Sequence, residues 1–172
     1  MTPSCMNYIR SAVDRFKGIK GAVLEVGSFD VCGNPREIFA DNRRFPTYIG
    51  IDMRPGPMVD QVMNCHDLTF NDKSFDVIVD AERLEHDCNF TRSYQELNRV
   101  LRVGGHVIIT TRSWGGFGPH DYPSDYWRFM DNGLRYLLES SGFKCLEAVY
   151  GEEGAHGHAA VFAVGVKTTD LF

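Results

Sequence analysis

The chain has 172 residues, 43% of them hydrophobic and 24% charged, with a formal net charge of −5. That length predicts one domain over 1–172 with a single core and no separate substrate domain; no apolar stretch nears the roughly 20 residues of a membrane span, and the acidic balance disfavours nucleic acid as a partner. Five scattered cysteines without a Cys-x-x-Cys pair argue against a disulfide framework and a zinc knuckle, and residues 1–4 hold no basic-then-apolar leader, so a cytoplasmic chain with reduced thiols is expected.

Thr2 followed by Pro3 reads as an N-cap and first helical residue. Ile9, Val13 and Phe16 recur at helical spacing, which predicts a helix ending near Gly18 inside an N-terminal segment 1–20. Residues 22–26 are an apolar run between Gly21 and Gly27, the pattern of a strand buried on both faces. Asn34-Pro35 with Glu37 three positions after the Asn is a capping-box arrangement, predicting a helix through about Arg43. Strands are predicted at 48–52, near 59–63 and at 75–80, the last ending in an acid. Residues 91–101 carry Tyr94, Leu97, Val100 and Leu101 at helical spacing, and Gly104-Gly105 is expected to stop that helix before the β-branched run 107–111.

A long aromatic-rich connection, 112–130, comes next. Asp131 is expected to cap a helix through Ser141 that Gly142 ends, and 143–150 and 159–167 read as two final strands joined by a glycine-rich hairpin. Alternating strands and helices with short links predict a doubly wound, Rossmann-like α/β sheet, mostly parallel, with helices on both faces. Such sheets bind ligands at the carboxyl ends of their strands, where strand order reverses.

The loops after the predicted strands carry the candidate chemistry. Gly27, without a Cβ, lets a ligand approach the backbone of the first strand-to-helix turn, although Phe29 stands where a dinucleotide fingerprint has its second glycine. Glu25 near the end of a buried strand needs a donor or a cation, which the ammonium of an amino-acid-like ligand or the loop's own amides would supply. Asp52 closes the second strand, just before Met53, where a carboxylate can accept from both ribose hydroxyls of an adenosine. Asp67 is placed to accept from an adenine amino group while Leu68 packs on the ring; a turn or cap role is the alternative for Asp67.

The order of Leu24-Glu25-Val26-Gly27-Ser28, residues 48–52, His66-Asp67-Leu68, residues 75–82, Leu84-Glu85-His86 and residues 96–105 resembles the class I methyltransferases that use S-adenosylmethionine (AdoMet), in particular a small subgroup with the Leu-Glu-His motif. The resemblance covers 22–146 and implies a sheet of about seven strands whose last strand is antiparallel. It places Glu25, Gly27 and Ser28 along the methionine half of AdoMet, Asp52 at the ribose, Asp67 at the adenine, and Ala81 with Glu82 beside the sulfonium; Met53 and Leu68 are counted with them as cofactor-binding. Phe29 and Val31 replace glycines of the family's loop, and Val103 replaces the Pro before Gly104-Gly105.

Leu84-Glu85-His86 invites a catalytic reading, but capping of the following helix is the expectation preferred here. His156-Gly157-His158 lacks a third ligand, so no metal site is expected. The connection 112–130 follows the fifth strand and is read as an acceptor-side lid. In it Tyr122, Tyr126 and Trp127 would enclose a small-molecule acceptor, Arg128 would meet an anionic group on it, and His120, oriented by Asp121, would serve as base. A folded loop burying its own aromatics is the alternative. Two rival functions stand beside methyl transfer: a non-catalytic AdoMet or nucleotide binder, as a partner subunit for instance, and a nicotinamide-dependent oxidoreductase, whose fuller glycine fingerprint and Tyr–Lys pair are not visible. A homodimer is compatible with the sequence.

Overall fold

The computed structural model describes residues 1–115, 118, 124–151, 153–154 and 157–171. Helix α1 (Pro3–Arg15) starts at Thr2, whose side chain accepts from the Cys5 amide, and Tyr8, Ile9, Ala12 and Val13 turn its apolar face inward. The strands are β1 (Val23–Val26), β2 (Tyr48–Asp52), β3 (Gln61–Val62), β4 (Phe75–Ala81), β5 (Leu101–Arg112) and β6 (Phe143–Tyr150), then the two-residue β7 (Glu153–Gly154) and β8 (Gly157–His158), then β9 (Ala160–Lys167). Helices α2 (Phe90–Val100) and α3 (Asp131–Ser140) complete the set. Seven strands form one sheet in the order β3-β2-β1-β4-β5-β9-β6, and β7 and β8 pair apart from it. Neighbours from β3 to β5 are parallel, while β9 runs antiparallel to both β5 and β6.

The sheet is covered on both faces, as the apolar runs of β1 and β4 require. On one face Ile9 and Val13 of α1 pack with Val23, Val77, Val79 and Ile108; on the other, Tyr94 and Leu97 of α2 and Leu134 and Leu138 of α3 pack with Leu24, Ile78 and Ile109. Among the described residues no helix is long and apolar enough to cross a membrane.

Three expected boundaries differ from the structure. The helix expected from Asn34 to about Arg43 is a single 3₁₀ turn, Pro35–Phe39. Asn34 does cap it through the Arg36 amide, but Asp41 then accepts from the Arg43 amide through its side chain and the Phe45 amide through its carbonyl, which reverses the chain. Nor do Gly104 and Gly105 stop α2. The helix ends at Val100, where the buried Lys167 ammonium donates to the Asn98 and Leu101 carbonyls at 2.6 and 2.8 Å. The glycines instead sit in a bulge within β5: Phe75 pairs with Leu101, but Val77 pairs with His106. Gly104 has φ +84°, and a Cβ on Gly105 would lie 2.9 Å from the Asp76 carbonyl oxygen. Finally, Met130 rather than Asp131 is the N-cap of α3; the Asp131 carboxylate accepts from the Asn132 amide and the Tyr150 hydroxyl.

Candidate functional site

Strand order reverses between β1 and β4, so the crevice past their carboxyl ends is where a parallel sheet of this kind offers a ligand site. Two loops meet there. Gly27 has φ +79°, and a Cβ on it would stand 2.9 Å from the Cβ of Arg83, so this close approach requires glycine. The Gly27 and Ser28 amides donate to the Ile51 carbonyl, which ties the first loop to β2. The Ser28 hydroxyl is buried without a partner among the described residues, over Gly50, where a Cβ would lie 2.8 Å from it.

Phe29, which breaks the glycine pattern, does not fill the crevice. Its ring lies against Gly56, where a Cβ would lie 2.2 Å away, and the Arg54 guanidinium stacks on it at 4.8 Å from the centroid. The loop after β2 thus takes up the side chain that the loop after β1 has in place of glycine.

Asp52, at the end of β2, accepts from the Arg54 amide at 3.0 Å and the Phe29 amide at 3.4 Å. With its two oxygens it retains capacity for further donors. Met53 beside it is 70% exposed. After β3, Asp67 is exposed and its amide donates to the Asn64 carbonyl, a turn arrangement, while Leu68 is buried and its amide donates to Glu96. Ala81 is buried at the end of β4; Glu82 follows at φ +55°, half-buried, with its amide on the Thr110 carbonyl.

Glu25 is buried and held from within the protein. The Asn34 amide group donates to both its oxygens, at 2.9 and 3.1 Å, and to the Ser28 carbonyl, while the Tyr48 hydroxyl donates at 3.0 Å. Burial raises its carboxyl to about 7 against the lowering effect of those two donors. The folded value lies above the unfolded one, so the native state holds this proton more tightly, and stability falls as pH rises from about 4.5 towards 7. Glu25→Gln should therefore flatten the ligand-free pH–stability curve in that window and gain roughly 2 kcal/mol at pH 8. Urea denaturation at several pH values measures this, and an unchanged slope would refute it.

Beneath the crevice lies a buried charge network. Arg83 bonds both oxygens of Asp80, at 2.9 and 2.7 Å, and Asp87 at 2.5 Å; Tyr94 donates to Asp80, and Ser93 and the Asn89 amide donate to Asp87. Burial pushes the Asp87 carboxyl up, but Arg83, Ser93 and His66 outweigh it and hold the group at about 2. Cys65, His66 and Asp87 offer ligand atoms within 4.8 Å of one another, yet the Arg83 guanidinium donates to both the Cys65 thiol sulfur and Asp87, taking the cationic place in that cluster.

Leu84-Glu85-His86 is a 3₁₀ turn, and what it does differs from the expected capping of α2. The Asp87 carboxylate accepts from the Asn89 amide, whereas Glu85 and His86 anchor the segment after β5. The Glu85 carbonyl accepts from the Tyr126 and Trp127 amides, its carboxylate accepts from Thr111 at 2.8 Å, and His86 Nδ1 donates to the Ser124 carbonyl. Trp127 donates from its indole to the Asp87 carbonyl at 2.9 Å and meets Phe90 edge-on. Arg128 makes a two-pronged pair with Asp125, and Tyr126 is 52% exposed. His120, Asp121, Tyr122 and His156 lie outside the described residues.

A cavity of about 710 Å³ opens beside the first loop, lined by Asp30, Asn34, Arg36, Phe39, Tyr48 and Met58 among others. Two of its lining residues, Asn34 and Tyr48, are the hydrogen-bond partners of Glu25.

A sequence profile of the family described as "Methyltransferase domain" matches residues 24–109, half of the chain. The chain belongs to this family. The methyltransferase profile spans β1 through most of β5, including both loops of the crevice. No curated protein sequence matches the chain.

Solved structures match this methyltransferase fold well at low identity. The Burkholderia thailandensis 1,6-didemethyltoxoflavin-N1-methyltransferase, with 1,6-didemethyltoxoflavin and S-adenosylhomocysteine bound, is 17% identical, with a TM-score of 0.75 over 96% of this chain and 79% of that one. A chain from the complex of the Haloferax volcanii Trm112 methyltransferase activator with a methyltransferase is 16% identical, TM-score 0.71, over 94% and 88%. The [4+2]-cyclase SpnF is 16% identical, TM-score 0.73, over 95% and 81%. At such identities the likeness establishes the class I methyltransferase fold and leaves each neighbour's chemistry its own.

Proposed function

We propose that this methyltransferase-family protein binds AdoMet in the β1/β4 crevice and transfers its methyl group to a small-molecule acceptor. The observation that carries the reading is the placement of Gly27, Asp52 and Glu82 at the ends of three adjacent strands around the point where strand order reverses. The bound S-adenosylhomocysteine of the Burkholderia neighbour supports the cofactor class.

The residues present fit such a ligand. Asp52 has lone pairs left for ribose hydroxyls, and the loop over β1 has a glycine backbone at its closest point. Asp67 is exposed on the adenine side, with Leu68 beneath it. Glu25 acts one layer back, holding Asn34 and through it the Ser28 carbonyl, so that it shapes the loop around the methionine half. AdoMet supplies an already activated methyl group, so the protein's part is to align the acceptor and exclude water, an effect worth roughly 7–11 kcal/mol when alignment is complete.

Glu85, His86 and Trp127 fix the segment after β5 over the ends of β4 and β5. Arg128 is committed to Asp125, which favours Tyr126 over Arg128 as the acceptor-facing group among the described residues. Tyr126→Ala should lower turnover about tenfold on the best acceptor from a panel of phenols, heterocycles, carboxylates and amines, with S-adenosylhomocysteine affinity unaltered. Equal turnover would remove the segment from the acceptor site.

Calorimetry with S-adenosylhomocysteine tests the binding half of the reading, and transfer of label from AdoMet to that panel tests the catalytic half. A micromolar dissociation constant and labelled product are expected; absence of binding would overturn the reading. Binding without transfer to any acceptor would favour a non-catalytic AdoMet binder.

A further inference from the structure

Glu82 combines three features that the fold does not need. It is a non-glycine residue at φ +55°, a conformation with a steric cost that persists where surroundings over-determine it and that clusters at functional sites. It is a half-buried carboxylate at the mouth of the β1/β4 crevice, and among the described residues no cation pairs with it. It also receives a hydrogen bond from far along the chain: the Cys5 thiol of α1 donates to Glu82 Oε1 at 3.2 Å. Cys5 is itself set by Thr2, whose hydroxyl lies 3.1 Å from the sulfur and accepts from the Cys5 amide. Cys5 is fully buried, and burial followed by the Glu82 charge pushes its thiol up to about 12, so it stays a donor.

The charged neighbours are otherwise occupied. Arg83 is committed to Asp80 and Asp87. Glu85, buried beside Thr111, has its carboxyl raised by burial and by the neighbouring Glu82.

Resting on the AdoMet reading, we propose that Glu82, oriented by Cys5, faces the reacting centre and accepts the proton of a protic O–H or N–H acceptor. In the step, the acceptor's proton passes to a Glu82 oxygen as its lone pair forms the new bond to the methyl carbon. The S–C bond breaks with its electron pair remaining on sulfur, and the proton leaves Glu82 to water afterwards. Cys5 is a positioning residue: without its thiol the carboxylate loses the one described donor that fixes its direction.

The test needs no acceptor. Sinefungin carries an ammonium-bearing carbon in place of the sulfur of S-adenosylhomocysteine, so a carboxylate at the reacting centre favours it. Calorimetry on the intact protein should give a sinefungin preference of about tenfold, the scale of one partly buried charge contact. Glu82→Gln should reduce that ratio to near one. Cys5→Ala should lower it severalfold, and Cys5→Ser, which restores a donor, should recover it.

A ratio unchanged in Glu82→Gln overturns the proposal, and one unchanged in Cys5→Ala overturns the role of Cys5. If S-adenosylhomocysteine itself fails to bind the wild type, the AdoMet reading falls and takes this proposal with it; binding without preference refutes the proposal alone.

Discussion

Arg83→Ala should destabilise the protein by about 3–5 kcal/mol and lower Tm by roughly 10 °C, the largest effect expected of any single substitution at the site. The guanidinium spans the Asp80 and Asp87 carboxylates, whose side chains are 0% and 3% exposed, so its loss leaves two buried anions facing each other. Tyr94, Ser93 and His66 continue to bond them but bring no fixed positive charge equal to that of Arg83. The pH dependence identifies the cause. In the wild type Asp87 is held at about 2, below its unfolded value, so it contributes stability above about 3.8 that disappears as pH falls towards 2. In Arg83→Ala the same carboxylates gain affinity for protons on folding, so the deficit against wild type should shrink on acidification. Thermal melts between pH 4 and 8 measure this, and a deficit below 1 kcal/mol, or one independent of pH, would show that the network does not depend on Arg83.

Asp52→Ala should raise the dissociation constant for S-adenosylhomocysteine about thirtyfold, equivalent to roughly 2 kcal/mol or more, the cost of losing a charge-assisted hydrogen-bonding partner. Among the described residues the carboxylate accepts from the Arg54 and Phe29 amides, the second at a long 3.4 Å, and the Arg54 guanidinium lies 3.9 Å away, which leaves lone pairs for further donors. Folding should hardly notice the change, because the Gly27 and Ser28 amides remain on the Ile51 carbonyl and continue to set the loop. Asp52→Asn should fall between the two, keeping an acceptor without its charge. Unchanged affinity in Asp52→Ala, measured by calorimetry alongside a melt, would place the ribose elsewhere.

The strands were legible because their signal is local. Residues 48–52 and 143–150 begin and end where their patterns predict, and the short apolar run of β1 between two glycines has no other use than a strand buried on both faces. Boundaries that depend on distant partners were not legible. Asn34-Pro35-x-Glu37 states a helix start correctly, but nothing near it announces that Asp41 will reverse the chain within one turn. The glycines at 104 and 105 carry a helix-stop signal, yet they serve a bulge in β5: Gly104 takes φ +84°, and a Cβ on Gly105 would collide with Asp76 of the neighbouring strand.

Candidate site residues divide the same way. Gly27, Asp52 and Glu82 follow strands and could be placed in sequence order. Cys5, by contrast, reads as an ordinary small core residue, and only the packing of α1 on the sheet brings its sulfur to Glu82, 77 positions away. Arg128 reads as an available cation until Asp125 is seen to hold both its arms.

By itself, then, the sequence determined an alternating α/β chain with acids and a glycine at the ends of its strands, because periodicity, caps and turn residues act over a few positions. The tertiary structure decided which of those acids are free. Glu25 is held by Asn34 and Tyr48, Glu85 is buried with its carboxylate on Thr111, and Glu82 is half-buried and accepts from a thiol on another helix. A carboxylate's partner is set by distance in space, and two groups within 3 Å leave no mark on the chain between them.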